Sequence, residues 1–187
     1  MKTALIIVGI LIASALTYFG FYSAFYSPKV AIQDEGNEIF VFKHEKGAYH
    51  LADSVMRVVF NELYEKNGIV VTKGFGYYYQ NPFKAKNTPI EFDAGCIVND
   101  EDSLQLSRIS GEFIIQRTPK SSYIVSDFPL KGRTSILFGS YKVYPKIDQF
   151  CIENGYAVDV PVMEIYNRKE KKIHYRRKLV ENIQPIH

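Results

Sequence analysis

A glutamate and a tyrosine alternate on one predicted strand near the end of the chain. The run VMEIYN predicts a strand on which Glu164 and Tyr166 point to the same side, because side chains two apart share a face. The earlier run FGYYYQ places Phe75, Tyr77 and Tyr79 together by the same periodicity. A carboxylate among aromatic rings can hold an organic cation, since the ring faces add cation–π contacts. We therefore predict a ligand site formed by Glu164, Tyr77, Tyr79, Tyr166 and Phe75.

Two other interpretations of Glu164 stay open at this stage. A buried carboxylate with a raised pKa can act as a general base, so Glu-dependent hydrolysis is an alternative. The sequence places no second acid or nucleophile beside it, and we expect no catalytic residues. A strand glutamate paired with a surface lysine or arginine would form no site at all.

Composition and residue spacing give no indication of a metal ion, a cofactor or nucleic acid. The four histidines are scattered, and Cys96 and Cys151 match no metal-ligand spacing. No glycine-rich phosphate loop or nucleophile-elbow motif is present. The net charge is only +3. We predict that the protein binds no metal, no cofactor and no nucleic acid, while its oligomeric state stays open.

Two stretches of the chain follow the same order of elements. The interval from Gly68 to Tyr79 is 11 residues, and so is the interval from Gly155 to Tyr166. Each stretch is predicted to be a β-α-β-β module, the first over about 38–99 and the second over about 121–180, with a connector over about 100–120. The equal intervals predict that Gly68 superposes on Gly155 and Tyr79 on Tyr166.

The predicted fold is α+β. Two β-α-β-β modules form one antiparallel sheet with two long helices on one face, which leaves the other face open. We expect the ligand site on this open face, where the two modules meet. In the second helix, Pro145 predicts a kink or an interruption.

The beginning of the chain is predicted to form a transmembrane helix. Residues 3–26 run for 24 positions without a charged side chain, and about 20 apolar residues cross a bilayer as a helix. Tyrosine and phenylalanine crowd the end of the run, as in an interfacial aromatic belt. We predict an anchor over 1–28 and a folded domain over 29–187. The alternative is a signal peptide cut near Ala13-Ser14-Ala15.

The order of several motifs resembles the GyrI-like small-molecule-binding superfamily. These motifs are HEKGAY before a helix, then GFGYYYQNP, then a second helix ending in ENGY and followed by PVMEIYN. The anchor, Asn81-Pro82 and Pro145 are similar to a membrane-anchored branch typified by the testis-expressed ER-phagy receptor. The receptor role of that branch is not expected here, because it depends on a long tail with a binding motif that this sequence lacks.

The resemblance implies a function as well as a fold. In multidrug-binding members of the superfamily, an acidic residue at the position of Glu164 attracts cationic aromatic ligands. We therefore expect a single-pass membrane protein that binds a small apolar or cationic molecule, or a protein segment, without catalysis. A membrane-tethered adaptor with no small-molecule ligand is the second possibility.

Overall fold

The computed structural model describes residues 2–23, 25–82, 84–85, 88–109 and 111–182. These residues form three α-helices and eight β-strands, with a π-helical turn at Glu62–Lys66 and a 3-10 helix at Asp100–Arg108. In chain order the elements are α1 Lys2–Phe21, β1 Val30–Glu35, β2 Ile39–Gly47, α2 Leu51–Asn61, β3 Lys73–Tyr78, β4 Ile90–Val98, β5 Ile114–Arg117, β6 Ser121–Pro129, α3 Arg133–Asn154, β7 Val162–Asn167 and β8 Lys172–Lys178.

All eight strands form one antiparallel sheet in the order β1-β6-β8-β7-β3-β4-β2-β5. The α+β class and the single antiparallel sheet are therefore confirmed. In each half of the sheet, a helix follows the first strand in sequence: α2 follows β2, and α3 follows β6. The last strand of each half, β4 or β8, then lies in the sheet between the other two. Strands β3 and β7 join the halves at the centre of the sheet, with Gly76 opposite Glu164. Edge strand β1 was not predicted.

Both helices cover the same face of the sheet. Side chains on α2 and the following turn, Val59 and Leu63, are fully buried against Ile39 and Val41 of β2. The buried side of α3 packs on β6 and β8. Cross-strand pairing places the contacted residues on one face, in the row Val41, Cys96, Gly74, Tyr166, Ile173 and Phe128.

Helix α3 continues through Pro145 without a break, so the predicted interruption is wrong. Proline removes one helical hydrogen bond, at a cost of about 3 kcal/mol in an isolated helix. Val143, Tyr144 and Ile147 are buried on either side of the proline, and this packing holds both segments on the sheet. The helix ends at Gly155, whose φ of +74° suits glycine at a helix C-terminus.

The face opposite the helices carries aromatic packing and a chain of ion pairs. Phe40, Phe42, Phe75, Ile97 and Ile165 form a buried cluster there. Beside it, Arg176 lies 2.6 Å from Glu38 and 3.2 Å from Glu35, while His174 pairs with Glu35 and Asp127. These groups line a cavity of about 570 Å³. Each of these charged groups lies beside at least one of opposite sign.

Helix α1 is shorter than the predicted span over residues 3–26. It ends at Phe21, because Ser23 adopts a left-handed φ of +67° and turns the chain. Past this turn, Tyr26 packs edge-on against Phe128 of the sheet, with ring centroids 5.3 Å apart. None of the residues of α1 is buried, and the helix is long and apolar enough to cross a membrane.

Candidate functional site

The candidate site is built around Glu164, in the middle of the central strand β7. This carboxylate points to the helix-covered face and has no exposed surface. The prediction that it lies on the open face is therefore wrong. Its position follows from the strand pattern, because Val162 and Tyr166 share its side and pack with the α3 cluster.

Four hydroxyl groups donate hydrogen bonds to the Glu164 carboxylate. Tyr144 Oη and Ser140 Oγ, both from α3, lie 2.9 and 3.1 Å from Oε1. Tyr49 Oη, from the segment before α2, lies 2.9 Å from Oε2, and the hydroxyl of Tyr166 donates to the same oxygen. The site therefore joins both halves of the fold and one side chain of the central strand.

The charge of Glu164 is solvated by neutral groups alone. Among the described residues, its hydrogen-bond partners are hydroxyls and no lysine, arginine or histidine forms an ion pair with it. Burial raises the pKa of Glu164, and the hydroxyl hydrogen bonds oppose that shift only in part. Buried carboxylates are usually paired with a cation. Since no basic side chain among the described residues pairs with Glu164, a positive charge bound beside it would stabilise its ionised form.

The same carboxylate affects the pKa values of the surrounding tyrosines. Burial and the negative charge of Glu164 raise the pKa of Tyr49, Tyr78, Tyr144 and Tyr166 well above the usual value. These phenols therefore stay protonated across the physiological range and remain hydrogen-bond donors. Their rings supply the aromatic surface that a bound organic cation requires.

Two glycines allow the close packing around the carboxylate. A Cβ at Gly76, the residue paired with Glu164, would lie 2.5 Å from the hydroxyl of Tyr78. A Cβ at Gly139 in α3 would lie 2.5 Å from the hydroxyl of Tyr175. Any larger side chain at Gly139 would push the helix away from the sheet, and with it Ser140 and Tyr144.

The structure brings together only part of the predicted set of site residues. Tyr166 contacts Glu164, but Phe75 and Tyr77 lie on the opposite face, in the cluster with Ile165. Tyr79 follows β3 and donates to Asp93, which pairs in register with Tyr77. The expectation that Phe75, Tyr77 and Tyr79 share a face with Glu164 is therefore wrong.

The equal intervals do not make Tyr79 and Tyr166 counterparts, since they lie on opposite faces. Residues 68–72 before β3 and 157–161 before β7 form neither helix nor strand, so an equal count does not fix the register. A slip of one residue exchanges the faces, and Tyr78 is the β3 tyrosine beside Glu164. Gly68 and Gly155 both have a left-handed φ, of +68° and +74°. Their superposition, and the duplication itself, stay predictions.

Sequence reasoning missed Tyr49, Tyr78, Ser140 and Tyr144. Tyr49 stands in the HEKGAY motif but outside any predicted element, so no periodicity aimed it at β7. Ser140 and Tyr144 had a usable signal, because residues four apart on a helix share a face and Ser140, Tyr144 and Ile147 are all buried. The expected break at Pro145 obscured that pattern.

A groove of about 610 Å³ lies on the outer side of α3, next to the carboxylate. Ser140 and Tyr144 line this groove and also donate to Glu164, so they form the wall between the two. The other lining residues come from α3 and the segment after β3: Asn81, Lys84, Tyr141, Pro145, Asp148, Gln149, Ile152 and Glu153.

No group of three or more metal-ligating side chains is found within the described residues. The buried carboxylate also lacks the second acidic or imidazole ligand that a divalent metal requires. The chemistry at Glu164 is therefore that of a single buried charge among hydroxyls and rings.

No family model matches the sequence, and no curated protein matches it. Solved structures do match. The chain is similar to the crystal structure of the EcmrR C-terminal domain, with 16% identity over 82% of this chain and 98% of that chain and a TM-score of 0.54. It is also similar to EcmrR in a cryo-EM structure of its DNA complex, with 15% identity over 96% and 68% and a TM-score of 0.58. The chain thus shares the fold of the EcmrR C-terminal domain.

Proposed function

We propose that this chain is a membrane-anchored protein that binds small lipophilic cations, with Glu164 as their counter-ion. The observation that carries the proposal is a fully buried carboxylate held by four hydroxyls and by no basic side chain among the described residues. A cation that reaches it gains the charge pairing that the protein itself does not supply. Helix α1 is proposed as the anchor, on its length, its apolar composition and its unburied surface.

The route to the carboxylate runs through the groove beside α3. Tyr144 is the larger of the two side chains in the wall between the groove and Glu164. Rotation of its ring toward the groove would break the hydrogen bond from Tyr144 to Glu164, and a bound cation would then take the place of the hydroxyl beside the carboxylate. Tyr49, Tyr78 and Tyr166 would then provide the aromatic walls, in place of Phe75, Tyr77 and Tyr79 of the sequence-based prediction.

The magnitude of the charge effect can be worked from Coulomb's law. A cation about 4–5 Å from the carboxylate, at an effective dielectric constant of about 20, gains roughly 3–4 kcal/mol. Desolvation of the cation and loss of the Tyr144 hydrogen bond offset about half of this, since Glu164 is already buried in the free protein. The charge of Glu164 should therefore contribute about 2 kcal/mol, or about 30-fold in Kd.

Calorimetric titration of the full chain in neutral detergent micelles tests the proposal, with tetraphenylphosphonium as the probe. Glu164→Gln should raise its Kd about 30-fold. Glu101→Gln, the same change at an exposed carboxylate outside the groove, on the 3-10 helix at Asp100–Arg108, is the matched control and should leave Kd unchanged. Triphenylphosphine oxide, which is uncharged, should bind the wild type and Glu164→Gln equally. Equal tetraphenylphosphonium affinity in all three proteins would contradict the role of Glu164.

The ligand-free adaptor is the second candidate, and one observation favours it. Glu164 has no exposed surface, and its own neighbours fill the site. The adaptor predicts no saturable binding of tetraphenylphosphonium by the wild type.

Glu-dependent hydrolysis has less support, because hydroxyl donors occupy both carboxylate oxygens where an activated water would have to sit.

A further inference from the structure

The end of α1 is docked along one stripe of α3. Tyr18 Oη lies 3.1 Å from Thr134 Oγ1, and the rings of Phe19 and Phe138 are 6.0 Å apart. Thr134 and Phe138 are four residues apart and share a side of the helix. The last turn of α1 therefore contacts the first two turns of α3.

A second contact continues the same stripe. Lys142, four residues beyond Phe138, donates from Nζ to the carbonyl oxygen of Tyr26 at 2.8 Å. The segment that links α1 to the sheet thus crosses α3 about two turns after its start. A bilayer around α1 would consequently reach the first two turns of α3.

Exposed apolar side chains lie directly beside this docked stripe. Leu137 is 56% exposed and Tyr141 is 71% exposed, and they form the adjoining i, i+4 pair of α3. At the start of the helix the exposed Arg133 and the nearby Lys131 are positively charged, and Lys131 Nζ lies 5.3 Å from the ring centre of Phe21. Apolar and aromatic side chains flanked by basic ones are typical of a membrane–water interface.

The same surface borders the candidate groove. Tyr141 lines the groove together with Ser140 and Tyr144, the two side chains that separate it from Glu164. A lipid surface that touches Leu137 and Tyr141 would therefore lie at the mouth of the groove.

We infer that Leu137 and Tyr141 rest on the bilayer that holds α1, so that the groove opens at the level of the lipid headgroups. This inference rests on the proposed function, because it needs both the anchor and the site at Glu164. It also narrows the ligand class. The groove takes amphiphilic cations that have already partitioned into the membrane, whose local concentration there exceeds that in water.

The absence of tryptophan from the sequence makes this contact directly measurable. Each substitution introduces a single tryptophan, which is excited selectively over the 14 tyrosines. The full chain is reconstituted into phosphatidylcholine–phosphatidylglycerol vesicles that contain no bromine, lipids brominated near the headgroup end of the acyl chains, or lipids brominated near the ends of the acyl chains at the bilayer centre. Leu137→Trp reports on the proposed contact, Leu11→Trp on the anchor, and Leu104→Trp is the matched control. Leu104 is 87% exposed on the 3-10 helix at Asp100–Arg108, in the other half of the fold.

Because bromine quenches on contact, the expected result is quenching of about twofold for Leu137→Trp by the bromines near the headgroups and for Leu11→Trp by those at the bilayer centre, with none for Leu104→Trp by either. Quenching of Leu11→Trp without quenching of Leu137→Trp would overturn the inference and leave the anchor intact. Absence of quenching in Leu11→Trp would overturn the anchor, and the inference with it. Adding Glu164→Gln to Leu137→Trp should not change the quenching, since lipid contact is independent of the buried charge.

A competition experiment tests the ligand class. Dodecyltriphenylphosphonium stays in the bilayer, and it should displace tetraphenylphosphonium from the wild type in the same vesicles. Failure to displace it, with tetraphenylphosphonium binding intact and dependent on Glu164, would show that the groove fills from water. That outcome would refute the membrane route but not the binding function.

Discussion

Replacement of Gly139 by alanine tests the contact of α3 with the sheet that positions two of the four donors to Glu164. Alanine has the better intrinsic helix propensity, by about 1 kcal/mol. Its Cβ, however, would lie 2.5 Å from Tyr175 Oη and 3.1 Å from the ring of Phe128. Both side chains are almost completely buried, so neither can move freely. Overpacking of this kind costs about 1–3 kcal/mol.

The displaced helix should also weaken the hydrogen bond from Ser140 to Glu164, at about 1 kcal/mol. The sum is a net destabilisation of about 1–3 kcal/mol, or a Tm lower by about 3–9 °C for a chain of this size. Thermal unfolding of the full chain in micelles, followed by circular dichroism, measures this. In a Tyr175→Phe background the loss should shrink, since the closest clashing atom is gone. A Gly139→Ala protein as stable as the wild type, or more stable, would refute the reasoning.

Two further predictions concern charged groups around the sheet. Burial lowers the pKa of His174, but hydrogen bonds and charge from its two carboxylate partners outweigh this and raise it to about 9. Its stabilisation, on the order of 1–3 kcal/mol, should be complete below pH 6.5 and lost as the pH rises through about 9, whereas His174→Gln should show no such loss in pH-dependent unfolding. Asp148→Asn should lower the free energy of unfolding by about 3 kcal/mol, because Arg177 is buried and would lose its carboxylate 2.8 Å away. Adding Arg177→Met should recover most of that loss, and no recovery would contradict the pairing.

Much of the fold could be predicted, because runs rich in apolar and aromatic residues identify the strands. One Asn-Gly pair follows the π-helical turn after α2, and the other ends α3. Spacing also identified Glu164 and Tyr166 as neighbours on one strand. The boundary of α1 was beyond sequence reasoning, since the segment from Tyr22 to Tyr26 contains no charged residue and no proline that would mark the end of the helix. Their departure from the helix depends on the turn at Ser23 and on the docking of Tyr26 against Phe128.

The site was predicted on the wrong face for a specific physical reason. Periodicity establishes which residues of one strand share a face, but not which face of the sheet the helices will cover. Glu164 is charged, which favours an exposed position, and only the hydroxyls of Tyr49, Ser140, Tyr144 and Tyr166 make its burial tolerable. Three of these four lie outside β7, so no single strand pattern contains them.

The most direct test of the central claim is the pKa of Glu164, measured by NMR of its ¹³C-labelled carboxyl group with and without saturating tetraphenylphosphonium. Burial without a basic partner should raise the pKa above 4.5 in the free protein. A cation bound beside the carboxylate should lower it, because an opposite charge favours the ionised form. Consequently, affinity should fall as the pH falls through the pKa of the free protein. A pKa that stays raised when the cation is bound would contradict the account.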